Sequence, residues 1–336
     1  MFKRIRPLFS ITALSTLLLV AAPSQAATDK PINVVASFSI LANMTEEIGG
    51  PLVSVTSLVG PDSDAHVFNP TPADARTLAS ADVVVINGLG FEGWIDRLIK
   101  SSGFKGELAV ASKGVQPLGF ADEHAGQEHG DDDHGHDHGH GHEHEHEKVH
   151  ADSHADKHDH GDVDPHAWQD LRNGQIYAAN IRDALIAVMP AHRDQINARA
   201  DQYIEAIQVL DQATRDRLAP LSPPFKRIIT SHDSFGYFAK AYGVEFFAAQ
   251  GWSTDREVSA GDMARLVREI RDDNVRAIFV ENMSDPRLMQ QIAEETGVRI
   301  GGQLYSDALS PPGTGADTYL KMFESNINTI LQAIEP

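Results

Sequence analysis

The chain contains no cysteine. That excludes disulfide staples and thiolate metal ligands, and it removes the thiol on which bacterial lipoproteins carry their lipid, so no lipid anchor is expected. Cations are also scarce: 28 Lys and Arg stand against 48 Asp and Glu, a formal charge of −20. With no basic stripe, the electrostatic footprint of a nucleic-acid binder is missing. Long apolar runs are absent with one exception. Residues 1–26, MFKRIRPLFSITALSTLLLVAAPSQA, put three basic residues ahead of an apolar run and close on Ser24-Gln25-Ala26. The run is too short and wrongly flanked for a membrane helix, and the small-x-small end is a cleavage signature. The expectation is an exported, soluble protein of the periplasm, carried out by a signal peptide and not lipid-anchored.

Histidine is what the chain has in excess. Thirteen of its 17 histidines lie between His124 and His160, in a tract that runs DEHAGQEHGDDDHGHDHGHGHEHEHEKVH and continues ADSHADKHDHGD. His134, His136, His138, His140, His142, His144 and His146 alternate there with Gly, Asp and Glu. Val149 and Val163 are the only bulky apolar residues of the tract, too few to offset the entropy of ordering it. A disordered, exposed loop over 122–164 is expected. It holds fifteen acids and two lysines, so it accounts for −13 of the −20 and leaves the remainder modestly acidic. Imidazole and carboxylate together suit Zn²⁺, Cu²⁺ and Ni²⁺, so weak auxiliary metal capture is the expected chemistry of the loop.

Outside the loop, strand and helix alternate. Short β-branched runs at 33–38, 53–59, 82–87 and 108–111 are separated by helical segments at 40–48, 72–80 and 91–101. After the loop come helices over 170–188 and 191–218, then strands at 227–230, 244–247, 277–280 and 298–304 with helices from 234 and over 260–271, 287–295 and 318–334. Continuous apolar strands between helices indicate a parallel, doubly wound sheet, here made twice. The organisation read from this is a signal peptide over 1–26, an N-terminal α/β lobe over 27–121, the loop over 122–164, the end of that lobe and a linking helix over 165–222, and a C-terminal α/β lobe over 223–336. The helix over 191–218 spaces Ile196, Tyr203, Ile207 and Leu210 about a turn apart, as a rigid spine would.

Four histidines lie outside the loop. His192 opens the long charged helix at a position expected to face solvent. His66 sits in a turn-rich segment after the second strand, His166 ends the loop, and His232 follows the strand IITS; Asp307 lies just past VRIGGQL. Ligands of open parallel sheets bind outside the carboxyl ends of strands. Three imidazoles and one carboxylate are a donor set that Zn²⁺ accepts in a tetrahedral site.

The segments DAHVFNP, VDPHAW, SHDSFGYFAKAYGV, FVENM and YSDALS resemble the periplasmic zinc-binding proteins of ABC-type metal importers, in the same order and across nearly all of the chain after residue 26. The resemblance implies two α/β lobes joined by a long rigid helix, with Zn²⁺ held in the interlobe cleft by His66, His166, His232 and Asp307. Manganese members usually place Glu where this chain has His232, and three imidazoles favour Zn²⁺ over the harder Mn²⁺. Two departures stand out: the second lobe has no Cys pair, and Ala65 precedes His66 where some relatives have Glu, which leaves Asp307 as the acidic ligand. The expected partners are an ABC permease of the inner membrane and, as a further candidate, a periplasmic zinc chaperone; the protein itself is expected to be a monomer.

Three decoys carry less. Gly88-Leu89-Gly90-Phe91-Glu92-Gly93 fits the dinucleotide fingerprint but follows the third strand, not the first, so a strand-to-helix turn is expected. His142-Glu143-His144-Glu145-His146 fits the H-E-x-x-H pattern, yet a metalloprotease needs it on a stable helix. Glu281, at the end of a strand, is a candidate outer partner for a ligand histidine. The function expected is capture of Zn²⁺ and its delivery to the permease, against the alternatives of a zinc buffer or an exported zinc hydrolase. A hydrolase needs an open coordination position, which four protein ligands would fill.

Overall fold

The fold was analysed in a computed structural model, which describes residues 30–119, 163–221, 227–251, 253–254, 258–272 and 275–334. The expected signal peptide, the auxiliary histidines His134 to His146 and the H-E-x-x-H match therefore lie outside the described residues.

Valine-rich segments form the first sheet: β1 (Ile32–Phe38), β2 (Val53–Val59), β3 (Val83–Ile86) and β4 (Glu107–Val110), in the order β2-β1-β3-β4. Every pairing is parallel. Such strands are covered on both faces, which is why β3 is the unbroken apolar run VVVI, buried throughout. Helices α1 (Ser39–Gly49), α2 (Pro72–Ala79) and α3 (Ile95–Ser102) alternate with the strands. The second sheet repeats the plan with β5 (Arg227–His232), β6 (Glu245–Gln250), β7 (Ala277–Glu281) and β8 (Ile300–Leu304), in the order β6-β5-β7-β8 and again parallel. Between the sheets run α4 (Leu171–Val188) and α5 (Arg193–Leu218); α6 (Gly236–Tyr242), α7 (Ala260–Asp272), α8 (Arg287–Thr296) and α9 (Tyr319–Ile334) belong to the second half. Among the described residues no helix is long and apolar enough to cross a membrane.

Helix α5, 26 residues long, buries Ile196, Ala200, Tyr203, Ile207, Thr214 and Leu218 and leaves Leu210 half-buried, close to the expected stripe. It packs on α1 and α4 at one end and on α6 and α9 at the other. The main core is shared as well. It runs without a break from Val34 and Val85 through Trp168, Tyr177 and Ile181 to Phe238, Phe279, Tyr319 and Ile330. A smaller cluster around Ile229, Leu266, Ile278 and Ile292 lies in the second lobe alone. Helix α4 needs a glycine in its first turn, because a Cβ on Gly174 would stand 2.5 Å from the hydroxyl of Tyr319.

Several boundaries differ from those expected. The helix expected from Phe91 starts at Ile95, because Gly88, Leu89 and Gly90 all take positive φ and turn the chain first. The long helix begins at Arg193 after a 3₁₀ turn over Pro190–His192, and His192 is half-buried there instead of solvent-facing. Strand β5 extends past Thr230 to His232, which pairs with Gln250. Strand β8 starts at Ile300, two residues after the expected edge.

Candidate metal centre

His66 lies in the loop between β2 and α2. Its backbone N–H donates to Asp64 Oδ1 at 2.8 Å. The loop is fixed to its own lobe by Trp94, whose indole N–H donates to Ala65 O at 2.8 Å and whose ring packs on Phe68. His166 repeats the same turn one hundred residues on: its N–H donates to Asp164 Oδ1, also at 2.8 Å. Here the carboxylate does more, since Oδ1 also lies 2.8 Å from the ring Nδ1. The following 3₁₀ turn, Ala167–Gln169, reaches the other lobe: Trp168 Nε1 and Gln169 Nε2 donate to Ser306 O at 2.9 and 2.8 Å. That fixes Asp307, the next residue, against the first lobe.

His232 is the last residue of β5 and Glu281 the last of β7. These adjacent strands flank the point where the sheet order reverses, the usual ligand crevice of such sheets. Glu281 Oε1 accepts the His232 N–H at 2.9 Å, and Oε2 lies 2.7 Å from His232 Nδ1. The second approach is close enough for an ion pair but off the line of an ideal hydrogen bond, since both atoms lack a well-directed partner.

The three free Nε2 atoms and Asp307 meet. His66 Nε2 is 3.3 Å from His166 Nε2 and 3.1 Å from Asp307 Oδ2; His232 Nε2 is also 3.1 Å from Oδ2, and His166 Nε2 is 3.7 Å from Oδ1. One donor atom from each of the four residues falls within 4.8 Å of all the others. A cation bound at ~2.0–2.1 Å in a tetrahedron separates its ligands by about 3.3 Å, so donors at these spacings are already near coordinating positions. His166, His232 and Asp307 are fully buried. Asp307 Oδ1 has no hydrogen-bond partner among the described residues, which is costly for a buried carboxylate oxygen and is relieved by a cation. Phe91 walls the site, its ring 4.7 Å from that of His66 and 4.9 Å from Trp168.

The donors hold charge unevenly. Burial disfavours charge on His166, but Asp307 and Asp164 outweigh it and hold the imidazole up at about 9. His232 is likewise raised well above the ordinary range, with Glu281 and Asp307 overcoming its burial. Burial would raise Asp307, yet His232 and His166 hold it well below the usual carboxylate range. His66 is lowered, because its burial outweighs the help of Asp307.

Of the residues singled out from sequence, His66, His166, His232 and Asp307 come together and Glu281 touches His232; His192 is not part of the group. Asp164 and Asp64 were missed as orienting groups, although the repeated Asp-x-His of DAH and DPH was a readable signal. The glycine-rich fingerprint is the turn between β3 and α3. Its buried Glu92 accepts from Ser37 Oγ and Asn87 N, both at 2.6 Å, and burial raises its carboxyl.

Two parallel-sheet lobes joined by a long helix, with a buried set of cation donors between them, define a solute-binding protein for a metal ion. The chain belongs to the family described as ZnuA, zinc-uptake complex component A, periplasmic, whose profile matches residues 34–333. It is 31% identical over 313 residues to the manganese-binding lipoprotein MntA of Bacillus subtilis, covering 91% of each chain. It is 28% identical to the iron-binding protein YfeA of Yersinia pestis, over 98% of this chain and 96% of that one. Among solved structures, the periplasmic zinc-binding protein TroA of Treponema pallidum matches with a TM-score of 0.76 and 25% identity, over 91% of this chain and all of its own. The protein is thus the metal-binding component of an ABC importer and not an enzyme. One expectation is corrected here. A protein without a lipid anchor was expected from the lack of cysteine, but MntA and streptococcal relatives are named as lipoproteins, so freedom from an anchor cannot be carried as a property of this kind of protein.

Proposed function

We propose that the protein captures Zn²⁺ through His66, His166, His232 and Asp307 and delivers it to an ABC permease. The observation that supports this most is the convergence of three imidazoles and one carboxylate, with one donor atom of each within 4.8 Å of all the others. Relatives are named for manganese, iron and zinc, so family membership does not choose the metal. The donor set supports zinc: three imidazoles and a single carboxylate suit borderline-soft Zn²⁺ better than Mn²⁺, which favours oxygen donors. Glu281 and Asp164 orient two of the imidazoles from behind.

The domain scheme proposed is the one read from sequence, with lobes over 27–121 and 223–336 joined through 165–222. The histidines at 134–146 serve as a weaker zinc collector. The two ends of that insertion are joined beside the site: Gly119 bridges Val163, and Asp164 N donates to Leu118 O at 2.9 Å. The insertion thus re-enters the fold beside the point where it leaves, three residues before His166. The protein works as a monomer, and a periplasmic chaperone is a candidate source of metal. Metal analysis after dialysis, on the whole protein and on one lacking residues 122–160, tests the reading. One tightly held Zn²⁺ in both, with extra weak sites only in the whole protein, is the expected result. Loss of the tight zinc on deletion would make the insertion the main site and refute the cleft assignment.

A further inference from the structure

The two Asp-x-His turns of the site look alike and are used differently. In Asp164-Pro165-His166 the carboxylate holds both the backbone N–H and the ring Nδ1 of its histidine. In Asp64-Ala65-His66 the carboxylate holds the backbone N–H only. The other oxygen, Oδ2, accepts the hydroxyl of Thr254 at 2.5 Å, from the opposite lobe just past β6. Nδ1 of His66 has no hydrogen bond among the described residues. His166 is thus held by a buried carboxylate at Nδ1, and His232 has the Glu281 carboxylate 2.7 Å from its Nδ1. His66 is not so held, and its side chain, 5% exposed, is the only one of the four that is not completely buried.

A second contact ties the same loop across the cleft. Asn282 Nδ2 donates to Asp62 Oδ1 at 2.8 Å and to Ala308 O at 3.1 Å. Asp62 sits at φ 50°, a left-handed backbone that a non-glycine residue keeps only when its surroundings hold it there. Its N–H donates to Leu309 O at 3.0 Å. Asn282 follows Glu281 and Ala308 follows Asp307, so the far ends of these contacts adjoin the fixed half of the metal site.

We infer that His66 is the ligand that leaves first, and that the Thr254–Asp64 and Asn282–Asp62 contacts are cross-cleft latches that set how fast the metal escapes. This rests on the zinc site proposed above. While both latches are made, the His66 backbone is carried by the opposite lobe and the imidazole stays on the metal. When they part, the loop alone relaxes onto its own lobe, where Trp94 anchors it, and the cation is left on three donors that a permease can unload. Thr254 and Asn282 are positioning residues: neither belongs to the donor group.

The test uses the full chain loaded with one Zn²⁺. Release to a chromophoric chelator is followed by stopped flow and extrapolated to zero chelator, and association is measured separately. Thr254→Val keeps the shape and removes a hydroxyl donating to a carboxylate, so dissociation should quicken about tenfold. Asn282→Ala should act similarly and the double variant more strongly. Association should stay within about twofold, and Thr254→Ser should restore the parent rate. With Co²⁺ as the probe, the visible spectrum of the loaded variants should match the parent, because the four donors are unchanged. A double variant that releases Zn²⁺ within about twofold of the parent rate overturns the inference. So does a Thr254→Ser variant as fast as Thr254→Val. Failure of the underlying site would look different: tight zinc would persist in His232→Ala and Asp307→Ala.

Discussion

Metal binding should release about two protons at pH 7.5, and the structure says which. His166 is held at about 9 and His232 well above the ordinary imidazole range, so at pH 7.5 both carry a proton that a cation must displace. His66 is lowered and Asp307 is held far below neutrality, so neither contributes. The sign is fixed by competition: protons and metal seek the same Nε2 atoms, so affinity rises with pH until each group reaches its own pKa. While both protons are displaced, affinity gains up to about two powers of ten per pH unit, so it should still climb steeply between pH 7.5 and 8.5. Three ordinary histidines titrating near ~6.5 would gain less than about twofold over that interval. Calorimetry of Zn²⁺ binding in two buffers of different ionisation enthalpy counts the protons directly, with the free metal set by a competing chelator. A count near zero at pH 7.5, or affinity flat between pH 7.5 and 8.5, would refute the argument that Asp307, Asp164 and Glu281 hold two imidazoles protonated.

Two further outcomes follow from the same geometry. Removing the carboxylate behind His166 with Asp164→Ala should weaken Zn²⁺ binding by about ten- to a hundredfold while leaving a folded protein, checked by competitive titration beside circular dichroism. Zinc should also fail to compact the molecule. A core shared by both lobes and a helix α5 packed on each make a poor hinge, so the radius of gyration of a form lacking residues 122–160 should be the same with and without metal in small-angle scattering. A resolvable fall would refute the rigid reading.

What sequence made legible, and what it hid, divides along the range of the interactions. Strands such as VVVI could be read because a parallel sheet covers both faces and leaves an unbroken apolar run. The meeting of His66, His166, His232 and Asp307 could be anticipated because strand ends are where such sheets bind ligands, and because the surrounding segments resemble a family. The turn at 88–90 was anticipated from its glycines, but the delayed start of α3 was not. Leu89 takes φ 54°, and nothing in a leucine announces that. Strand β5 was expected to stop short of His232, whereas ladder pairing to Gln250 carries the strand through His232 into the candidate site.

The orienting layer was the least visible part, and for a physical reason. Asp164 and Asp64 both stand two residues before a histidine, so sequence spacing treats them as equals. Which of them grips an imidazole and which reaches across the cleft depends on partners far along the chain. Thr254 lies 190 residues from Asp64, and Asn282 lies 220 from Asp62. Contacts of that separation leave no periodicity and no local composition. They exist only because two sheets of the same strand order are held by one core at a distance where a hydroxyl can meet a carboxylate. The residues of the candidate site are therefore written locally, at strand ends and in short turns. The grip on them is a property of the packed whole, and the rate of metal release is the quantity in which that difference should be measured.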